Sequence, residues 1–362
     1  MDGLDDVVAA DTVLSDVDGA NGRLVIRGFA LEELAGHVGF EDAARLLLDG
    51  MFDELPETPE FSRRLGLARC EVFEQVAALD AELASRPPVD AVRALMARLT
   101  DGDDLECALR LIAGPAVFTA TVIRARRGER LPPPDPALSH AADILRMATD
   151  APPSAARTAA LDAYLVTIVD HGLNASTFAA RVAASTLAGL TSAVLAGLSA
   201  LKGPLHGGAP GPVIEMLDDI GSADRAAAWL DAALDRGERL MGFGHRIYRV
   251  RDPRADALKQ AVRALAASSP QLPGRIALAE AVEAAALEVL RRRKPDRSLQ
   301  TNVEFYTAVL LEALGFPADA FTCVFAMGRV AGWIAHAREQ VLSGRLIRPK
   351  SRYVGPTPRQ AA

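Results

Sequence analysis

The stretches LKGPLHGGAPGP at residues 201–212 and MGFGHRIYRVRDPR at residues 241–254 each place one histidine inside a glycine-rich loop. A loop rich in Gly and Pro gives up regular backbone hydrogen bonds, which lets it bring side chains or its own N–H groups close to another group. One such loop is equally well explained as an ordinary turn. Two loops, carrying His206 and His245 and followed by several arginines, favour a functional cleft.

The composition predicts a large, mainly helical protein. The chain has 362 residues, of which 50% are hydrophobic and 5% aromatic, and this is enough for a substantial core and two domains. Ala and Leu are abundant, which favours helices over strands. The net charge of −7 argues against general nucleic-acid binding, although a local arginine cluster could still hold a small anion.

Cysteine usage and the N-terminus predict a cytoplasmic protein. Cys70, Cys107 and Cys323 are scattered and odd in number, which indicates a reducing compartment rather than a disulfide framework. The acidic N-terminus does not resemble a signal peptide. The uncharged run at 182–201 is long enough to span a bilayer, but its many small residues favour a fully buried helix. We therefore expect no membrane association.

Periodicity along the chain predicts an all-α fold with a short β-hairpin at the N-terminus. Residues 1–30 alternate apolar and polar side chains around the dipeptides DG at 18–19 and NG at 21–22, and both dipeptides are hairpin signals. From residue 30 onward the apolar spacing is helical.

The two histidine loops also predict a division into two domains. They resemble hinges that bound a smaller domain at residues 208–316. Residues 1–207 and 317–362 would then form a larger, discontinuous helical domain. In this arrangement the loops of His206 and His245 lie beside the cleft between the domains.

Three acid–base side chains lie in loops or near helix ends: His206, His245 and Glu304. Glu304 comes early in a predicted helix, where the dipole favours a carboxylate, and the sequence by itself favours an ordinary first-turn glutamate. Arginine side chains could bind a di- or tricarboxylate through bidentate contacts, or could be solvated surface charges; the candidates are Arg246, Arg249, Arg251, Arg254, Arg329 and Arg348. The histidine spacing predicts no metal site. The residues alone thus indicate a His/Glu/Arg site for an anionic substrate.

Several segments, in order along the chain, resemble the signature blocks of the citrate synthase family. They are DHGLNASTFAARV, GPLHGGAPGPVIEML, MGFGHRIYRVRDPRADAL, NVEFYTAVLLEALGFP, FAMGRVAGWIAHAREQ and LIRPKSRYVGP. The opening segment VVAADTVLSDVDGANGRLVIRGFALEELA is similar to the N-terminal hairpin region of bacterial members. The resemblance covers nearly the whole chain and includes 2-methylcitrate synthases. It implies an α-helical homodimer with a large and a small domain, which closes on oxaloacetate, uses acetyl-CoA as co-substrate and holds no permanent cofactor.

The resemblance implies a role for each acid–base side chain. His206 matches the histidine that donates a hydrogen bond to the thioester oxygen of acetyl-CoA. Glu304 matches the carboxylate that removes the methyl proton, and His245 matches the histidine that polarises the oxaloacetate ketone. A base that forms an enol needs a partner to stabilise the oxygen as charge develops, so the pairing is chemically reasonable. Hydrolysis of the citryl-CoA thioester follows.

The resemblance also implies the substrate-binding residues. Those that match oxaloacetate contacts are His171, Arg254, Arg329 and Arg348. Arg348 is expected to come from the partner subunit, so that the extended C-terminal tail completes the partner's site. Those that match coenzyme A contacts are Met241, Gly242, Phe243, Gly244 and Arg249.

Two positions depart from the usual family pattern. The base is usually Asp in an NVDF block, whereas this chain has Glu304 in NVEF; the extra methylene changes the reach by about 1.5 Å. The usual DHELN is DHGLN here, so that Gly172 removes a carboxylate beside His171.

Two alternatives stay open from the sequence. The first is 2-methylcitrate synthesis from propionyl-CoA, because one methylene is worth only about 1–3 kcal/mol of discrimination. The second is a catalytically weak paralogue that binds CoA or a dicarboxylate, which the two departures motivate.

Overall fold

The computed structural model describes Leu4 and residues 7–149, 151–207, 211–245, 247–248, 250–269 and 272–356. Its three strands form one antiparallel sheet in the order β1 (Ser15–Asp18), β2 (Arg23–Ile26) and β3 (Phe29–Ala30). The α-helices of the described residues are α1 (Leu31–Leu34), α2 (Phe40–Leu48), α3 (Thr58–Phe73), α4 (Ala81–Ser85), α5 (Pro88–Met96), α6 (Leu105–Arg126), α7 (His140–Thr149), α8 (Ala155–Thr167), α9 (Ala175–Ala184), α10 (Leu190–Leu201), α11 (Gly211–Ile220), α12 (Ala226–Asp235), α13 (Pro253–Ala267), α14 (Pro273–Arg293), α15 (Val303–Ala313) and α16 (Phe321–Ser343). The prediction of a helical fold with an N-terminal hairpin is confirmed.

The hairpin forms where the two turn dipeptides predict it. β1 and β2 pair from Ser15 with Ile26 to Asp18 with Arg23. Gly22 has φ +65°, a left-handed conformation that side chains other than glycine rarely adopt. The Asp18 carboxylate accepts hydrogen bonds from the backbone N–H groups at positions 20 and 21. The connection between the strands is therefore closed by its own polar groups.

The core is built around α6 and α16, which pack against each other. Asp104 caps the start of α6 by accepting a hydrogen bond from the Cys107 N–H at 2.7 Å. Both helices are long and apolar enough to cross a membrane, yet 89% of the apolar window of each is buried inside the protein. Because the core helices of a large protein meet the same test, length and composition at these two segments are weak evidence for membrane spans.

The uncharged run at 182–201 is not one helix as predicted. α9 ends at Ala184, and α10 begins only at Leu190. Between them Leu187 and Gly189 have φ values of +61° and +87°, which a right-handed helix cannot accommodate. The Asp101 carboxylate accepts the Thr191 N–H at 2.8 Å and so supplies the N-terminal cap of α10. A distant side chain thus fixes a boundary that apolar periodicity does not reveal.

Candidate active site

Three aromatic side chains from two loops, His171 from one and His245 and Tyr248 from the other, form the centre of the site. His171 follows α8, and its Nε2 lies 3.1 Å from the hydroxyl of Tyr248. The rings of His171 and His245 meet edge to face, with centroids 5.9 Å apart. Burial lowers the pKa of His171 well below its ordinary value, and the positive charges of Arg254 and Arg329 lower it further. The structure therefore brings four predicted residues into one cluster: His171, His245, Arg254 and Arg329.

His245 presents one N–H donor to this cluster. Its Nδ1 accepts hydrogen bonds from the backbone N–H groups of Ile247 and Tyr248, each at 3.0 Å. Burial lowers the pKa of His245 to about 4, with a further contribution from Arg254, so the ring is neutral at pH 7 and carries its proton on Nε2. That nitrogen lies 3.3 Å from a terminal nitrogen of Arg254. Two donors side by side are suited to an oxygen that accepts from both.

Arg254 is fixed by the carboxylate of Asp252. Two nitrogens of the guanidinium donate to the two carboxylate oxygens at 3.0 and 2.9 Å. The same carboxylate accepts the backbone N–H of Arg254 and that of Val303, both at 3.1 Å. One buried acid therefore ties the starts of α13 and α15 together and aims the arginine between them.

Arg329 carries a buried positive charge with spare hydrogen-bonding capacity. It lies on α16, is 1% exposed, and donates from Nε to the carbonyl of Ile168 at 2.6 Å. One terminal nitrogen, Nη2, has no hydrogen-bond partner among the described residues. Burial lowers the pKa of Arg329 to about 10, partly opposed by Asp170, so the group stays cationic at neutral pH. A buried guanidinium nitrogen without a partner is suited to bind a carboxylate.

His206 lies in the turn after α10 and is held by Ser176. Its Nε2 lies 2.8 Å from the Ser176 hydroxyl, which also accepts the indole N–H of Trp333 at 3.1 Å. The single hydroxyl proton can go to His206 or to Asn174 Oδ1, which is 2.8 Å away; donation to His206 leaves the ring's own proton on Nδ1. Burial lowers the pKa of His206 to about 4, with Arg329 contributing. The imidazole is therefore neutral at pH 7, and it can donate from Nδ1 when Ser176 donates to its Nε2.

Glu304 is the second residue of α15, and Asn302 caps this helix by accepting the Glu304 N–H at 3.0 Å. Burial raises the pKa of its carboxyl to about 7, against the attraction of Arg254 and with the repulsion of Asp252. A solvated first-turn glutamate would not be shifted in this way. A carboxylate whose pKa lies near the working pH is matched to the task of a general base.

The loop of residues Met241 to Gly244 supports the start of this helix. Gly244 N–H donates to the carbonyl of Gln300 at 2.7 Å, and Asn302 N–H donates to the carbonyl of Gly242 at 2.9 Å. Gly242 has φ +84°, and a Cβ there would lie 2.8 Å from the Cβ of Phe305. Met241 and Phe243 are half-buried and pack against the core. The predicted coenzyme A contacts are therefore built into the backbone that positions Glu304.

Four predicted arginines lie elsewhere or are not described. Arg348 is exposed in the tail that follows α16, where the neighbouring Ile347 N–H donates to Ser185 Oγ at 3.1 Å; the structure does not bring it to the cluster, and its role at a partner's site stays a prediction. Arg251 forms ion pairs with Asp256 and Glu283. Arg249 and Arg246 lie outside the described residues.

Sequence reasoning missed the residues that hold the predicted ones in place. Asp252 stands before Pro253 at a helix start, so its role as an N-cap was detectable, but its second bond to the start of α15 was not. Ser176 and Tyr248 gave no signal, because their partners come from distant parts of the chain. Among the described residues, no group of three or more His, Cys, Asp or Glu side chains could hold a metal ion.

Comparison with known proteins places these features in one family. The family profile described as citrate synthase, C-terminal domain, matches residues 3–350. A citrate synthase from Haloferax volcanii is 38% identical over 98% of this chain and 95% of its own length. The crystal structure of citrate synthase from Thermotoga maritima is 34% identical, with a TM-score of 0.84 over 100% of this chain and 97% of that one.

A further solved structure is similar at lower identity. It is the ternary complex of citrate synthase from Thermoplasma acidophilum with carboxymethyl coenzyme A and oxaloacetate, 28% identical with a TM-score of 0.85 over 99% of this chain and 97% of that one. Fold and matches together define the class of protein, a helical transferase. The chain belongs to the citrate synthase family and is an enzyme of that family.

Proposed function

We propose that the enzyme condenses acetyl-CoA with oxaloacetate and hydrolyses the resulting citryl-CoA to citrate and CoA. The observation that carries the proposal is the position of Glu304, a carboxyl with a pKa of about 7. The neighbouring Val303 N–H donates to Asp252, which also binds Arg254, and Arg254 lies beside the neutral His245. The family match and the oxaloacetate bound to the Thermoplasma acidophilum relative support the same assignment.

The keto acid is held first by charge. Two cationic guanidinium groups, Arg254 and Arg329, bind its carboxylates, and Arg329 Nη2, which has no hydrogen-bond partner among the described residues, donates to one of them. The ketone oxygen accepts from His245 Nε2, which donates because Nδ1 is engaged by two backbone N–H groups. His171, whose ring lies 5.9 Å from that of His245, contacts the same ligand. This polarises the carbonyl carbon for attack.

The thioester is activated by a base and a neutral donor. The Glu304 carboxylate removes a proton from the methyl group, while His206 donates a hydrogen bond to the thioester oxygen on which charge develops. The enol carbon then forms a bond to the ketone carbon, and the ketone oxygen takes up a proton to become the citryl hydroxyl. Water cleaves the thioester, which releases citrate and the CoA thiol.

The complete enzyme is proposed to be a homodimer of two-domain subunits. Residues 208–316 would form the smaller domain and close on the larger one, with the cluster of His171, His245 and Arg254 in the cleft. Arg348 would add a third guanidinium to the partner's site. The described part of the tail after α16 has no regular secondary structure and is mostly exposed. This supports the placement, because it leaves Arg348 available to another surface.

The activity is tested by following the release of CoA thiol from acetyl-CoA and oxaloacetate. Turnover by the wild type and its loss in Glu304→Gln are expected; the matched control Glu312→Gln, on the same helix but paired with Arg275, retains turnover. Binding of both substrates without CoA release would favour the paralogue that binds but does not catalyse. A value of kcat/KM more than tenfold higher for propionyl-CoA than for acetyl-CoA would replace citrate by 2-methylcitrate as the product.

A further inference from the structure

The tip of the N-terminal hairpin lies directly against the loop that follows His245. A Cβ at Gly19 would lie 2.7 Å from the carbonyl carbon of Ile247. A Cβ at Gly22 would lie 2.8 Å from Val250 Cγ2 and 2.9 Å from the carbonyl oxygen of Arg251. Real Cβ atoms do not approach other atoms this closely, so both positions require glycine for steric reasons. The backbone of the hairpin therefore lies in contact with the loop that follows His245.

The start of β1 contacts the loop that carries His171. The Ser15 hydroxyl accepts the backbone N–H of Gly172 at 2.9 Å and donates to the carboxylate of Asp170. Gly172 has φ +58°, and a Cβ there would lie 3.2 Å from Val17 Cγ2. The four-residue strand β1 therefore contacts the loop of His171. The turn that follows β1 contacts the loop that follows His245.

The hairpin is stiff enough to transmit a displacement. The Asp18 carboxylate accepts hydrogen bonds from Ala20 N–H at 3.2 Å, Asn21 N–H at 3.0 Å and the Asn21 side-chain amide at 2.7 Å. β2 is paired on both sides, with β1 and with β3. A group inserted between the tip and the loop would therefore displace the loop more readily than the closed turn.

We propose that the β1–β2 hairpin is a positioning element that sets the spacing between the His171 and His245 loops, with Gly19 and Gly22 as the contact points. The spacing matters because the two rings stand 5.9 Å apart and Tyr248 joins them through the bond of its hydroxyl to His171. The contact also joins segments predicted to belong to different domains. Its kinetic consequence rests on the proposed condensation of oxaloacetate, whereas its structural consequence does not.

The first test compares Gly19→Ala with Gly274→Ala. Both glycines have φ outside the left-handed range, but a Cβ at Gly274 meets nothing within 4 Å. Hydrogen exchange is measured at the amides of Ile247 and Tyr248, which are bonded to His245 Nδ1. We expect exchange at these amides to be on the order of tenfold faster in Gly19→Ala and unchanged in Gly274→Ala, because the added methyl group at position 19 displaces the loop that follows His245. Equal exchange in both variants and the wild type would overturn the proposal.

The kinetic arm uses the same pair of variants. A misplacement of about 1 Å can cost on the order of 10²-fold in rate, so kcat/KM for oxaloacetate is expected to fall by tenfold to a hundredfold in Gly19→Ala, while KM for acetyl-CoA changes by less than about twofold. A purely structural role would lower the melting temperature without this split between the two substrates. If the wild type shows no condensation at all, the proposed function fails, and the exchange experiment still decides the role of the hairpin.

A second pair of variants covers the case in which Gly19→Ala does not fold. Gly22 and Gly28 have φ values of +65° and +90°, so alanine introduces comparable backbone strain at both. A Cβ at Gly22 meets the loop that follows His245, whereas a Cβ at Gly28 meets no atom within 4 Å. Faster exchange at Ile247 and Tyr248 in Gly22→Ala than in Gly28→Ala supports the proposal, and identical exchange in this pair refutes it.

Discussion

Replacing Glu304 by Gln should abolish turnover and at the same time stabilise the protein above neutral pH. The Glu304 side chain is half-buried, and loss of solvation raises the pKa of its carboxyl from 4.5 to about 7. At 1.36 kcal/mol per pKa unit, ionising it in the folded state costs about 3 kcal/mol more than in the unfolded chain. Gln resembles the protonated acid in shape and cannot ionise. The variant therefore avoids a cost in free energy of unfolding that the wild type carries whenever Glu304 is charged.

The sign of the effect depends on pH. Below about pH 4.5 the carboxyl is protonated in both the folded and the unfolded state, so it makes no difference to stability. Between about 4.5 and 7 the unfolded chain releases its proton while the folded protein retains it, and the free energy of unfolding falls as the pH rises. The full loss is reached above about pH 7, where the folded protein is ionised too.

Differential scanning calorimetry at pH 5 and pH 8 measures the effect. An entropy of unfolding of about 2.1 cal/mol/K per residue gives about 0.8 kcal/mol/K for 362 residues, so about 3 kcal/mol raises the melting temperature by about 4 °C at pH 8. At pH 5 the two proteins should melt within about 1 °C of each other. Glu312→Gln, which removes the ion pair with Arg275, should show no gain at pH 8. Equal gains at both pH values, or a loss at pH 8, would refute the reasoning.

Three further outcomes are expected. The value of kcat/KM should rise with pH through about 7 as Glu304 ionises, and a profile that is flat between pH 6 and 8 would exclude it as the base. Arg329→Lys should raise KM for oxaloacetate at least about tenfold, because one ammonium cannot both bond to the Ile168 carbonyl and replace the free guanidinium nitrogen; an unchanged KM in steady-state kinetics would remove Arg329 from the site. Asp143→Asn should lower the free energy of unfolding in urea by about 3–5 kcal/mol, because it leaves the fully buried charge of Arg69 uncompensated; a loss below about 1 kcal/mol would contradict this.

The helices and the hairpin follow from local chemistry and could therefore be predicted. Asp104 caps α6, Pro253 stands at the first position of α13, and the turn glycine at 22 has the positive φ that a tight connection needs. The break inside 182–201 could not be predicted, because the cap that begins α10 comes from Asp101. Local sequence signals indicate where a helix can begin. In α10, a hydrogen-bond partner 90 positions away in the chain determines where the helix does begin.

The same division holds for the site. His206 and His245 stand out in the sequence because glycine-rich loops around a histidine are rare, and the residues alone indicated a shared His/Glu/Arg site. The separate role of each histidine was implied only by the family resemblance. The two histidines differ in where their hydrogen-bond partners come from. His245 Nδ1 is bonded to backbone N–H groups two and three positions away, whereas His206 is bonded to Ser176, which is itself bonded to Trp333, 157 positions further along the chain. Whether Glu304 is a solvated glutamate or a base depends on its burial, which no local pattern encodes. The pKa of Glu304, and therefore its suitability as a general base, is set by the tertiary structure around it.

The buried guanidinium of Arg329, whose Nη2 has no hydrogen-bond partner among the described residues, also bears on how long the protein survives. A dicarboxylate that supplies the missing acceptor binds only the folded state, and at a hundred times its Kd it adds about 2.7 kcal/mol to the free energy of unfolding. The unfolded fraction on which proteases act falls accordingly, by about a hundredfold. The cellular half-life of the enzyme should therefore lengthen when its anionic substrate is plentiful and shorten when that supply fails.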